Sequence, residues 1–526
     1  MSALETDIVI IGSGAAGGVL AATLAEHTGQ RIVLLEKGGH FTHEFFDQRE
    51  LDMTVLLADR GARATVDGAI PVTGGECVGG GTTVNYALSF DPIRDVWNGW
   101  KHEFGVGPFS FDRGSNDFGI TGLNMATCLA DVRRRINVHA PSDAEINDNN
   151  KLFAAGCKAN GIPTRRFELN MIDCIGCGFC GQGCAYDRKL STMVTYVRDA
   201  QRRNVQLVHH CDVQRIGFAA RGNDRFATGV QAVVRPTTPG SEANSVDRGP
   251  LDIRAKLVIV SAGAIASPAL LQRSQVPDPQ QLMGKGLVLH PSLPIGGTFD
   301  RQLVNYRGIT GSIYSDHFYG SHGFYYECLF DHPMNAAIAI PGIGPDHFAI
   351  MSQYSKLAGF GVMLVDTPNS ANRVDWDASS GRPAIRYRLT QPDKARLRYA
   401  ARVGIEIMLA AGANEALLTS EEQPGTMAAT IFKKRQDAAQ CEKLEFLPYQ
   451  TLITSAHCQA TLKMGEDPKR SVVNSRGETY GVRNLVVCDS SVFPASCGAN
   501  PMISVMTLAR YQATRIANEL NRYGLS

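Results

Sequence analysis

The chain has 526 residues, 44% of them hydrophobic and 20% charged, an ordinary globular balance that excludes disorder as its main state. Its 52 Lys+Arg and 51 Asp+Glu leave a formal charge of +1 with no Lys/Arg-rich stripe, which argues against a nucleic-acid partner. No run reaches the roughly 18 uninterrupted apolar residues that a membrane-spanning helix needs. The best stretch, Ala336 to Met351, is broken by Pro341, Gly342, Gly344, Pro345 and Asp346. The N-terminus shows neither a basic region nor a cleavage site, so a cytoplasmic location is expected. The 13 cysteines are then expected to be mostly thiols or metal ligands.

In chain order, Asp7 to Ile11 predicts a buried strand that runs into Gly12-Ser13-Gly14-Ala15-Ala16-Gly17 and a helix to about Glu26. Arg31 to Leu35 predicts a second strand, ending at Glu36. Continuous apolar strands joined by a helix point to a parallel sheet. Gly12 suits the tight turn, Gly14 the close approach of backbone to a pyrophosphate, and Gly17 the packing of helix on strand. Ala15 and Ala16 open the helix whose N-terminus faces the phosphates. Glu36, about 20 residues on, is placed to accept hydrogen bonds from a ribose. This is a dinucleotide site, and the motif alone does not distinguish FAD from NAD.

A second glycine cluster, Gly79-Gly80-Gly81-Thr82-Thr83-Val84-Asn85, follows. Lys256 to Val260 and Asn484 to Val487 repeat the first strand type and lead into Ser261-Ala262-Gly263 and Cys488-Asp489-Ser490. One sheet assembled from distant segments is therefore expected, with residues 1–100, 170–295 and 450–526 forming the dinucleotide-binding domain. Residues 101–169 and 296–449 form an inserted domain. Within it, Gly361 to Asp366, Arg373 to Asp377 and Ala384 to Thr390 read as an antiparallel meander, and Asp393 to Ala411 as an amphipathic helix.

Cys174-x2-Cys177-x2-Cys180-x3-Cys184 has the spacing of a bacterial ferredoxin loop. The spacing favours an iron–sulfur cluster over a structural thiol, zinc or disulfide loop. It leaves [4Fe–4S] and [3Fe–4S] open, because in two-cluster ferredoxins the fourth cysteine serves the other cluster. A cluster would give electrons an exit other than oxygen, toward an acceptor protein or a quinone.

The C-terminal segment reads Ser455-Ala456-His457-Cys458-Gln459-Ala460-Thr461-Leu462-Lys463-Met464-Gly465, then Asp489-Ser490-Ser491, then Asn500-Pro501-Met502. Asn500 lies 43 residues after His457. With the two glycine clusters, this arrangement resembles the glucose–methanol–choline (GMC) family of FAD-dependent alcohol oxidoreductases. Together with the cysteine run and Lys189-Leu190-Ser191-Thr192, the wording is most similar to the long-chain fatty alcohol oxidases and dehydrogenases. Three positions depart from that pattern: Ala460, Asp187 and Gln275 stand where glycine is usual.

The resemblance implies an α/β Rossmann-like FAD-binding domain with an inserted α+β substrate domain built on an antiparallel sheet. It implies that Gly80, Gly81, Thr82 and Asn85 contact the flavin, that Val213 offers backbone groups to the adenine, and that Asp489 meets the ribityl or pyrophosphate part. It also places Asn500, Pro501 and Met502 at the flavin, and treats the His290-Pro291 turn as structural. The chemistry fits independently. Oxidising an alcohol removes a hydroxyl proton and passes a hydride to a flavin; a neutral imidazole suits the first task. A neutral amide can hydrogen-bond the developing alkoxide without competing for the proton. His457 is thus the expected base and Asn500 its partner. The expected substrate is a small-molecule primary alcohol, long-chain or otherwise apolar, with peripheral membrane contact left open. Sterol or sugar alcohols, and a non-redox lyase or decarboxylase, are the alternatives.

Overall fold

The computed structural model describes residues 2–422 and 429–526. Strands Ile8–Ile11, Ile32–Leu35, Leu257–Val260 and Leu485–Val487 are buried along their whole length. Such runs of branched apolar residues suit a parallel sheet covered on both faces. With Gln206–Val208 they form a five-stranded parallel sheet in the order 485–487, 257–260, 8–11, 32–35, 206–208. The expected assembly from distant segments is therefore observed. Helix Ala15–His27 covers one face and packs along helix Met502–Asn518, so the first and last helices of the chain share one core. Beside it, Ser2–Glu5, Gly249–Arg254, Asp224–Val234 and Cys211–Arg221 make a second, four-stranded sheet.

A seven-stranded sheet, antiparallel at every pairing, runs in the order 430–432, 415–418, 292–298, 357–364, 324–327, 313–315, 165–166. Its own apolar core contains Leu293, Phe324, Tyr326, Phe360, Val362, Leu397 and Ile405. Helix Gln391–Ala410 crosses this core. It begins with a capping box in which Thr390 Oγ1 accepts from the Asp393 amide at 3.2 Å and the Asp393 carboxylate accepts from the Thr390 amide at 3.4 Å.

Two boundaries differ from expectation. The 361–366 strand is Leu357–Leu364, and the 384–390 strand is Arg382–Arg386. The latter pairs with Arg373–Asp377 as a separate two-stranded ribbon instead of extending the large sheet. Gln272 anchors the ribbon through Arg373–Asp377: its side chain donates to Val374 O at 3.0 Å and accepts from the Trp376 amide at 2.6 Å. The apolar 336–351 stretch is divided between short helices Pro333–Ala339 and Gly344–Met351. Among the described residues no helix is long and apolar enough to cross a membrane.

Candidate active site

Every strand of the parallel sheet ends on the same side, and the glycine motifs lie there. Gly12 has φ +98°, and a Cβ on it would come 2.4 Å from Ser261 O, so only glycine fits the turn. The helix that follows starts at Ala15 with no side-chain cap, which leaves its first N–H groups free for an anion. Gly80 approaches from the second cluster: a Cβ there would lie 2.9 Å from Gly14 Cα. Ser13 Oγ accepts from the Gly79 amide at 3.0 Å, and Thr82 Oγ1 donates to Gly79 O at 2.6 Å. A Cβ on Gly81 would meet nothing within 4 Å, so this glycine borders open space, and Asn85 Nδ2 reaches Met502 Sδ at 3.0 Å. Gly12, Gly14, Gly80, Gly81, Thr82 and Asn85 are thus brought together with Met502.

Glu36 is buried at the end of its strand. Its carboxylate accepts from Ser13 N at 3.0 Å, Ser13 Oγ at 2.7 Å and Gly38 N at 3.0 Å. Burial nevertheless raises its pKa above the usual carboxylate range. Val213 sits at a bulge, where the pairing of 211–221 with 224–234 shifts register between Val213 and Arg215 and frees backbone groups. Asp489 is buried at the end of strand Leu485–Val487. Its oxygens are taken up by Gly263 N at 2.9 Å, Ser267 Oγ at 2.6 Å and Ser491 N at 2.8 Å, which ties two strand ends together. Bare backbone facing backbone, an uncapped helix N-terminus and a buried acid on the second strand fit a dinucleotide.

His457 lies deep among protein atoms yet keeps part of its surface open to solvent, as a side chain lining a recess does. Burial lowers its pKa to about 4, so the imidazole is neutral throughout the physiological range. Its backbone is held by Gln459, which is fully buried. That carboxamide donates to His457 O at 3.1 Å, stands 3.3 Å from His290 Nε2, and accepts from the Cys497 amide at 2.9 Å. One side chain thereby joins the His457 segment to the loop that carries Asn500. His290 packs edge-on to His457 with ring centroids 5.5 Å apart and reaches Ser496 Oγ at 2.6 Å. Asn500 is buried, and its side chain lies beside Glu327, a buried acid from the antiparallel sheet whose carboxylate it favours. Glu327 and Gln459 were not anticipated: a lone acid in Tyr325-Tyr326-Glu327 carries no motif, and Gln459 is one of the variable positions after His457.

The cysteine loop brings Cys174, Cys177, Cys180 and Cys184 near one another. All four residues are free thiols, Cys180 buried and Cys174, Cys177 and Cys184 half-buried. Cys174 Sγ accepts from Gly176 N at 3.4 Å, and Cys184 Sγ from Arg188 N at 3.3 Å and Lys189 N at 3.4 Å. Among the described residues no three His, Cys, Asp or Glu stand together so as to hold a metal ion. The Cys174 and Cys184 sulfurs are engaged by local backbone amides, and burial drives the Cys180 thiol up to about 12. What the segment does carry is Lys189, whose buried ammonium donates to Thr83 O and Asn85 O at 2.7 Å each and to Cys180 O.

The family profile described as GMC oxidoreductase matches residues 53–292 in its N-terminal part and 368–509 in its C-terminal part, together more than half of the chain. An NAD(P)-binding Rossmann-like profile matches residues 10–69. Long-chain-alcohol oxidase FAO3 of Arabidopsis thaliana is 26% identical over 99% of this chain and 69% of its own length. An uncharacterized GMC-type oxidoreductase of Mycobacterium tuberculosis H37Rv is 29% identical over 97% of this chain and 75% of its own length. Among solved structures, formate oxidase superposes with a TM-score of 0.69 at 15% identity, covering 99% of this chain and 100% of its own. Pyridoxine 4-oxidase from Mesorbium loti does so with 0.65 at 19% identity, covering 98% and 99%. These structures share the fold. The cradle, the recessed histidine and the two profile matches converge: the chain belongs to the GMC oxidoreductase family and is an FAD-dependent oxidoreductase acting on CH–OH groups.

Proposed function

We propose that the protein oxidises a primary alcohol, long-chain or otherwise apolar, to the aldehyde. The observation that carries this reading is His457: a neutral imidazole in a deep recess, with no hydrogen bond from either ring nitrogen to the described residues. A base so placed is free to take the hydroxyl proton of a bound alcohol. Asn500, held by Glu327, keeps a second amide N–H to donate to the alkoxide oxygen as its charge develops. Gln459 fixes the two segments relative to each other, so the proton acceptor and the hydrogen-bond donor approach one substrate oxygen in a set geometry. Bound FAD supplies the hydride acceptor. The residues that would hold it are Gly12, Gly14, Glu36, Gly80, Gly81, Thr82, Asn85, Val213 and Met502. The apolar, long-chain preference is supported by the likeness to FAO3 along nearly the whole chain.

The test is anaerobic absorbance of the purified holoenzyme with 1-dodecanol, a sterol or glucose added in turn. Bleaching of the flavin bands by 1-dodecanol at the lowest concentration is expected. Bleaching by the sterol or the sugar alone would move the substrate class, and bleaching by none of them would refute alcohol oxidation.

A further inference from the structure

Glu327 is the last residue of strand Phe324–Glu327, and side chains alternate along it. Phe324 and Tyr326 enter the apolar core of the large sheet, and Tyr326 Oη donates to Ala400 O at 2.7 Å. Tyr325 and Glu327 take the other face, where Tyr325 packs against Phe90 and Tyr319. Glu327 is 6% exposed and Asn500 beside it 7%, and the Asn500 side chain is the sole group offsetting the burial of the acid. Two buried oxygens at this contact have no donor: Glu327 Oε1 and Asn500 Oδ1. Each buried acceptor left unpaired carries the full desolvation penalty of its oxygen. A single proton on Glu327 removes both penalties.

We propose that Glu327 is a neutral carboxylic acid forming a ring of two hydrogen bonds with Asn500, its O–H donating to Asn500 Oδ1 while Asn500 Nδ2–H donates to the other carboxyl oxygen. The ring locks the amide against flipping and aims the remaining N–H at the substrate oxygen. Glu327 is thus a positioning residue for alcohol oxidation, which rests on the function proposed above. Burial supports the neutral form by raising the acid to about 7. The sign follows: the proton is held below that pH and lost above it, so the ring opens as pH rises.

The titratable groups that face this contact stay constant across neutral pH. Tyr314, directly opposite in the adjacent strand, and Tyr325, in the same strand, are both pushed up by burial. Gly361, opposite on the other side, carries no charge. From the loop before Asn500, Cys497 is pushed up to about 12. His457 is already neutral above about 4, and His290 is held well below its ordinary value.

Holoenzyme flavin reduction by 1-dodecanol, followed anaerobically by stopped flow from about pH 5 to about pH 9, tests this. In the wild type the rate is expected to fall as pH rises through about 7. Glu327→Gln, whose amide repeats the ring at every pH, is expected within about threefold of wild type and without that fall. Glu327→Leu is expected to lose about tenfold or more at every pH with FAD content unchanged. A fall retained in Glu327→Gln, or a wild-type rate in Glu327→Leu, would overturn the proposal. Should no alcohol reduce the flavin, the function fails and the ring is judged separately by infrared difference spectra over the same pH range. A carboxylic-acid C=O band present at low pH and absent from Glu327→Gln upholds it; no such band in the wild type overturns it.

Discussion

Ala460, Asp187 and Gln275 each stand where glycine is usual in the family pattern, and each has positive φ, at 69°, 54° and 58°. The departures were legible in the sequence; the backbone conformation that explains the usual glycine was not. The three sites differ in cost. Asp tolerates the left-handed region, and Asp187 also pairs with Arg198 at 3.1 Å. Ala460 is fully buried, has no polar side chain to compensate, and lies three residues from His457. Its β-carbon costs about 1–2 kcal/mol in this conformation, partly offset by the greater unfolded-chain entropy of glycine. Ala460→Gly is therefore expected to stabilise the protein by about 1 kcal/mol, read from the urea midpoint at constant slope. A loss of stability would show that the turn is not strained. His457 and Asn500 were identified by motif and spacing. Glu327 was not, because its importance comes from the strand that presents it to Asn500.

At the scale of elements, strands with continuous apolar runs were readable because burial on both faces demands that composition. The seven-stranded sheet was not. Ser292–Thr298 contains a proline and two glycines, and Ile313–Ser315 and Phe324–Glu327 are too short to show alternation. The cysteine run shows the limit of spacing: it fixes how far apart residues are along the chain, not which way their sulfurs turn. The structure assigns this segment a mechanical part instead. Through Lys189 the cysteine loop is fastened to the backbone of the second glycine cluster at Thr83 and Asn85. Thr192, three residues on, adds bonds to Ser13 O at 3.2 Å and Gly79 O at 3.3 Å. Lys189→Met keeps the stem but strands buried carbonyls, and hydrogen bonds to a charged group are worth about 1.5–3 kcal/mol. It is expected to lower unfolding free energy by about 3 kcal/mol and to release FAD more readily, measured by denaturation and by flavin fluorescence on dilution. Unchanged stability and retention would remove the loop from the cofactor site.

Across the whole molecule, the candidate site is composite. The parallel sheet brings Gly12, Gly80 and Asp489 to one edge from three distant parts of the chain. The antiparallel sheet supplies Glu327 from the inserted segments, and the last two loops supply His457 and Asn500. The fold class was legible because the parallel sheet leaves its signature in composition and the family resemblance implies the antiparallel one. The meeting of the two halves at the Asn500–Glu327 contact was not, since no local pattern records a contact between segments so far apart. The central claim is that His457 is the proton acceptor of an alcohol oxidation at this junction. It is tested most directly by comparing anaerobic flavin reduction by 1-dodecanol in the wild type and in His457→Ala. The variant is expected to retain FAD and to reduce it about a hundred- to ten-thousand-fold more slowly. A near-normal rate in a fully FAD-loaded His457→Ala would contradict it.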